Sequence, residues 1–112
     1  MSQITTHILN TSLGKPANGV PVVLDQFTSG SWHQLSKGIT DNDGRIKNLL
    51  PIDEKAALGI YRLVFDTKTY YKLIKINGFY PSITIEFEIK DDSHYHVPLL
   101  LNPFGYSTYR GS

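Results

Sequence analysis

Two histidines, His94 and His96, stand two residues apart at the head of an apolar run that leads to Tyr109, Arg110, Gly111 and Ser112. Side chains alternate along a strand, so residues two apart point the same way. Two imidazoles on one face can bind a metal jointly, handle protons as a pair, or simply pack. A third histidine, His7, lies in the strand-like stretch Ile4 to Asn10, where parity places it with Thr5 and Leu9. Alone it reads as a satisfied structural residue. With histidines from the other end of the chain, it raises the prospect of one cleft served by both ends. Chain ends are usually frayed and polar. A final tetrapeptide carrying a phenol, a guanidinium and a hydroxyl reads instead as docked in a site.

Arg45 follows Asp41-Asn42-Asp43-Gly44, which looks at first like part of a calcium loop. The frame fails: with Gly44 at the loop's glycine position, its first and last ligand positions fall on Ile39 and Leu50. A tight Asp-Gly turn that projects Arg45 is the better reading. The guanidinium then either makes a surface ion pair or grips a planar, carbonyl-rich ligand through its fork. A zinc site could take His7, His94 and His96 with an open fourth position. The sequence offers no obvious fourth ligand, so no metal is expected. No GxGxxG, P-loop or GxSxG pattern occurs, which argues against a nucleotide cofactor or a serine-elbow hydrolase.

The bulk properties narrow the class. The chain has 112 residues, enough for one domain with one core. Eleven basic and ten acidic residues leave a formal charge of +1, without a basic cluster, so a nucleic-acid partner is not expected. There is no cysteine, which removes disulfides, zinc–thiolate sites and thiol nucleophiles and favours a reducing compartment. MSQITTHILN shows neither the basic nor the apolar region of a secretory leader, and no run is long enough to span a membrane. The expectation is a soluble, cytoplasmic protein.

Strand patterns dominate the chain. Ile83 to Lys90 alternates strictly, with Ile83, Ile85, Phe87 and Ile89 on one face. Ile60 to Asp66, Val20 to Phe27, Trp32 to Thr40, Ile4 to Asn10, His94 to Leu101 and Tyr106 to Arg110 supply the other candidates. Asn18-Gly19, Asp43-Gly44, Asn77-Gly78 and Pro103-Phe104-Gly105 punctuate them. Pro98 cannot donate to a ladder, so its stretch is expected at an edge or at a bulge. Thr67 to Lys75 reads as a helix with Tyr70, Tyr71, Leu73 and Ile74 on one side, capped by Asp66 or Thr67 and ended by Asn77-Gly78; its β-prone residues make a strand the competing reading. Short strands with turns at this spacing predict an all-β sandwich.

Taken together, these segments resemble the transthyretin-like family. The resemblance runs through ITTHILNTSLGKPANGVPVVL (Ile4 to Leu24), TDNDGRI (Thr40 to Ile46), GIYRLVFDTKTYY (Gly59 to Tyr71), Gly78 to Pro81, and HYHVPLLLNPFGYSTYRGS (His94 to Ser112). The closing Tyr-Arg-Gly-Ser matches the hydrolases of that family and not its hormone carriers. The resemblance implies an eight-stranded, prealbumin-like β-sandwich of two four-stranded sheets with one short helix, as a single domain over residues 1–112. It implies a homotetramer, a dimer of dimers, with sites in a channel at the subunit interface. The implied reaction opens the ring of 5-hydroxyisourate to 2-oxo-4-hydroxy-4-carboxy-5-ureidoimidazoline, on the route from urate to allantoin. The implied catalytic residues are His7, Arg45 and His96. His7, Arg45, Tyr109, Arg110 and Ser112 are implied to bind substrate, and no metal or organic cofactor is implied. In that reaction His7 or His96 takes a proton from water while Arg45 holds the ring. The rival on the same fold is a small-ligand carrier with an apolar channel. An immunoglobulin-like interaction domain has no support, since there is no Cys…Trp…Cys pattern.

Overall fold

The computed structural model describes residues 2–51 and 53–112. The alternating stretches become strands β1 (Ile4–Asn10), β3 (Pro21–Thr28), β4 (Ser31–Ile39), β5 (Gly59–Phe65), β6 (Ile83–Ile89), β7 (Tyr95–Asn102) and β8 (Gly105–Thr108). The two-residue β2 (Lys15–Pro16) is not legible in the sequence, being too short to show a period. One four-stranded sheet has the order β2-β1-β7-β8 and the other β4-β3-β5-β6. The predicted eight-stranded sandwich with one helix is therefore the fold.

Each strand turns one row of side chains inward. Ile4 and Ile8 of β1 and Leu99 and Leu101 of β7 meet Val22, Leu24, Leu63, Phe65 and Ile83 from the opposite sheet. Burying each such side chain contributes about 1.5–3 kcal/mol. The β3–β4 hairpin closes at Thr28↔Ser31, with positive φ at both Ser29 and Gly30, the twist a two-residue hairpin turn requires.

The helix α1 (Thr67–Leu73) starts where the sequence places it. Asp66 caps it, accepting from the Thr69 amide at 3.1 Å. Its end comes earlier than Asn77-Gly78. Lys75 adopts φ +58°, and Ile76 N–H donates to the Tyr71 carbonyl at 3.0 Å, so the last carbonyls are satisfied before the glycine. Gly78 serves packing instead, because a Cβ there would run into the Tyr71 ring. Tyr70 and Tyr71 are buried as expected, but Leu73 faces outward.

Pro98 departs from expectation in an informative way. Its strand is not at an edge; β7 lies between β1 and β8. The missing donor falls on the β8 side, where Thr108 Oγ1 donates to the Pro98 carbonyl at 2.7 Å and the β7–β8 pairing breaks off after Leu99↔Thr108. The pairing resumes in the same register at His96↔Gly111. The chain beyond Thr108 thus continues β8 along β7, skipping the one residue that cannot donate.

The pairing that matters for the site is β1 with β7, which is parallel and joins the two ends of the chain. Its register sets Thr5 opposite His96 and His7 opposite Pro98. Thr5, His7 and His96 therefore share the outer face of the first sheet, while Ile4, Thr6 and Ile8 face the core.

Candidate active site

Arg45 is delivered by its turn. The Asp41 carboxylate accepts from the amides of Asp43 at 2.9 Å and Arg45 at 3.1 Å, and these bonds hold its carboxyl below the ordinary range. Gly44 sits at φ +73°, and Ile8 N–H donates to its carbonyl at 2.9 Å. A Cβ at Gly44 would strike the Ile8 carbonyl, so this approach needs glycine. The next residue then pairs with His7 in an antiparallel bridge. Among the described residues the ion pairs are Lys55–Asp92, Arg62–Asp25 and Lys90–Glu88, which leaves the exposed Arg45 fork unengaged.

Beside it opens a cavity of about 500 Å³ whose lining includes Thr5, Arg45, Lys47, His94, His96 and Ser112. His94 and His96 stand with ring centroids 6.0 Å apart. Thr5 Oγ1 lies between them, 2.7 Å from His94 Nε2 and 2.7 Å from His96 Nδ1. His7 lies outside this lining, next to Arg45 and diagonal to His96 across the β1–β7 pair. Among the described residues no group of three His, Cys, Asp or Glu is placed to hold a metal ion.

Burial lowers the His96 imidazole below its ordinary value, and the Arg45 guanidinium and the other two imidazoles push it further the same way. His7 is also lowered, by burial first and then by Arg45. Both rings are thereby kept neutral near neutral pH, the form that accepts a proton.

The segment after β8 divides. Gly111 N–H donates to the His96 carbonyl at 2.9 Å, and Ser112 reaches the cavity. Tyr109 and Arg110 line a neighbouring concavity of about 440 Å³ at the open side of the sandwich, with Phe87 and Tyr95; His96 borders both spaces. Arg110 stacks over Tyr95, 4.2 Å from its centroid, and Nη2 donates to Ser93 Oγ at 3.0 Å and the His94 carbonyl at 3.3 Å. Within this chain, then, the structure brings Arg45, His96 and Ser112 together. It sets His7 at the margin and Tyr109 and Arg110 on the far side of His96. Thr5 and His94 join the site without being implied by the family resemblance. Strand parity already places Thr5 with His7, but only the non-local β1–β7 register reveals what it touches.

A sandwich of two four-stranded sheets in which a parallel β1–β7 pair joins the first strand to the seventh is transthyretin-like, and solved structures agree. Transthyretin of the sea bream, determined in complex with thyroxine, superposes with a TM-score of 0.91 at 33% identity, covering 98% of this chain and 95% of that one. Klebsiella pneumoniae 5-hydroxyisourate hydrolase gives 0.85 at 34% identity, covering 97% and 92%. The 5-hydroxyisourate hydrolase of Salmonella typhimurium is 53% identical over 110 residues, spanning 97% of this chain and 80% of that protein. The family model for HIUase/transthyretin matches residues 4–111, and this chain belongs to that family.

Proposed function

We propose that this protein is an enzyme that opens the 5-hydroxyisourate ring by hydrolysis, with the cavity around Arg45 and His96 as its active site. The Salmonella relative supports the reaction. The single observation that carries the site is an unpaired guanidinium facing the same cavity as an imidazole held neutral by its surroundings.

The chemistry follows from the side chains. Water must attack a ring carbonyl and a ring nitrogen must leave. His96 Nε2, the nitrogen not turned to Thr5, takes the proton from water. The Arg45 fork holds the carbonyl-rich ring and offsets charge that builds on the attacked oxygen, a contribution of about 3 kcal/mol for a donor of this kind. His7 orients the water, and an imidazole returns the proton to the leaving nitrogen. Ser112 helps place the water; Tyr109 and Arg110 close the wall in the assembled protein. No cofactor enters this scheme. Freshly made 5-hydroxyisourate decays on its own, so the test is its ultraviolet absorbance with and without catalytic amounts of protein. Acceleration is the expected result; an unchanged decay overturns the reading. A carrier on this fold would bind the ring without consuming it.

The proposed assembly is a homotetramer, a dimer of dimers with sites at the interface. Its support is the pair of sheet edges β6 and β8, left unpaired within one protomer, and the half-exposed Tyr109 beside them. Light scattering on the purified protein measures it. We place the protein in the cytoplasm on its lack of cysteine, testable by fractionation. Among the described residues no helix is long and apolar enough to cross a membrane.

The pH dependence follows in sign. The base must be neutral, so kcat/KM falls as pH drops through the His96 value. Because the fold lowers that value, the acid limb lies below about 6.5, the ordinary imidazole range. Arg45→Gln removes a positive neighbour and is expected to move the limb up toward 6.5 while raising KM. A limb that stays put or moves down in the variant contradicts the coupling. Stability shares the sign: in the same window the unfolded chain binds more protons, so stability is complete above it and is lost as pH falls.

A further inference from the structure

We propose that the Thr5 hydroxyl is a proton-coupling bridge that makes His94 and His96 one two-imidazole unit, in which His94 holds the proton His96 takes from water until the leaving nitrogen needs it. The proposal rests on the hydrolytic reading above.

The geometry is restrictive. Thr5 Oγ1 is 2.7 Å from both His94 Nε2 and His96 Nδ1. A hydroxyl carries one proton: it donates once and otherwise accepts. When both rings are neutral and both contacts are hydrogen bonds, one of the two facing nitrogens carries a proton and the other is bare. In one arrangement, His96 Nδ1–H donates to Thr5 and Thr5 donates to His94 Nε2. His96 Nε2, the nitrogen not held by Thr5, is then a free base. In the other, His94 Nε2–H donates to Thr5 and Thr5 donates to His96 Nδ1. His96 Nε2 is then an N–H donor. The tautomer of each ring dictates that of its partner.

The bridge gives a closed proton cycle. Starting from the first arrangement, His96 Nε2 removes a proton from the attacking water as the new C–O bond forms. His96 Nδ1 passes its proton to Thr5 while Thr5 passes its own to His94 Nε2. The positive charge now rests on His94, and His96 is neutral with Nε2–H facing the reaction. As the C–N bond breaks, its electron pair takes that proton on the departing nitrogen. In the same step His94 Nε2 returns its proton to Thr5 while Thr5 passes its own to His96 Nδ1, so His96 is never left as an imidazolate and the first arrangement returns. One water is consumed and no proton is gained or lost. Burial and the neighbouring Arg45 both disfavour a lasting charge on His96, which is a reason for such a unit to exist. Among the described residues, the charged or titratable groups around it are His7 on β1, Arg45 and Lys47 on the turn segment, Glu88 and Lys90 from β6 and its end, Tyr95 and Tyr109, and Arg110, which holds the His94 carbonyl.

Thr5 and His94 are thus positioning residues, and Thr5 is the informative one to change. Thr5→Val keeps the β-branched shape and removes the bridge. The expected loss in kcat is roughly 10²-fold, the low end of general acid–base effects, with KM changed less than about 3-fold. Thr5→Ser restores the hydroxyl and should recover kcat to within about 3-fold of wild type. The double variant Thr5→Val/His94→Phe should be no slower than either single variant, because both break one unit. In ¹⁵N-histidine NMR of the ligand-free protein, one Thr5-facing nitrogen should be protonated and the other bare, a reciprocity that Thr5→Val abolishes. Wild-type kcat in Thr5→Val, additive losses in the double variant, or ring nitrogens that ignore the substitution would each overturn the bridge. If the wild-type protein fails to hydrolyse 5-hydroxyisourate, the hydrolytic reading falls separately, and the NMR comparison still decides whether the rings are coupled.

Discussion

His96→Asn is expected to lower kcat by roughly 10³-fold while leaving the sandwich folded and KM within a few-fold. Asparagine places an amide group near the position of the imidazole Nδ1, so a contact to Thr5 survives. What disappears is Nε2, the ring nitrogen proposed to accept the proton from water. His96→Gln makes the complementary substitution, reaching toward the Nε2 position with a group that has no basicity. Both variants should be inactive if proton transfer is the role, whereas a role in packing or simple hydrogen bonding predicts that one of them rescues the other's loss. Residual activity should also lose the acid limb assigned to His96. Steady-state rates with circular dichroism as the folding control check this. A His96→Asn protein within a few-fold of the wild-type rate would remove His96 from the chemistry.

That prediction depends on a face that only long-range pairing creates. The strands themselves are legible locally, because alternation with a period of two is written into runs such as Ile83–Ile89, and the inward rows follow directly. The turn that carries Arg45 is legible for the same reason: Asp41, Gly44 and their neighbours make local bonds. The start of α1 is also a local matter, settled by the Asp66 cap. Its end is not, because Gly78 is needed against the Tyr71 ring and Lys75 takes the left-handed position instead. Pro98 misleads in a related way. Its missing donor forbids one hydrogen bond on one side, not membership of an interior strand, and the β8 side absorbs the gap. Least legible is the parallel β1–β7 register, since nothing local states that Thr5 lies opposite His96 across about ninety intervening residues. The family resemblance carries His7, Arg45 and His96 as a group. It leaves out Thr5 and His94, whose shared contact comes into view only once that register is drawn. Lowered imidazoles beside an unpaired guanidinium are likewise a property of the assembled face, because the causes are burial and neighbours from three different segments.

Deleting Tyr109 to Ser112 should reduce kcat/KM by at least about 10²-fold, because the segment fixes the imidazole pair from behind. Gly111 N–H holds the His96 carbonyl, Arg110 holds the carbonyl of His94, and the Arg110 guanidinium rests on Tyr95, the residue between them. Gly111 also presses close to the imidazole itself: a Cβ there would lie 2.5 Å from His96 Cδ2 and 3.1 Å from Pro98 Cγ. The segment thus narrows the ring positions open to His96, and its loss frees the proposed base to rotate out of line. The backbone bond to His96 is worth about 1 kcal/mol, so the thermal midpoint should drop by only a few degrees. A large loss of rate with a small loss of stability separates positioning from folding. Gly111→Ala isolates the effect with the segment in place, since the added methyl group must displace the His96 ring or lift the chain from β7. It should show a substantial part of the same kinetic loss. A truncated protein that turns over at the wild-type rate, or a Gly111→Ala protein indistinguishable from wild type in kcat and KM, would show that the imidazoles are held by β1 alone.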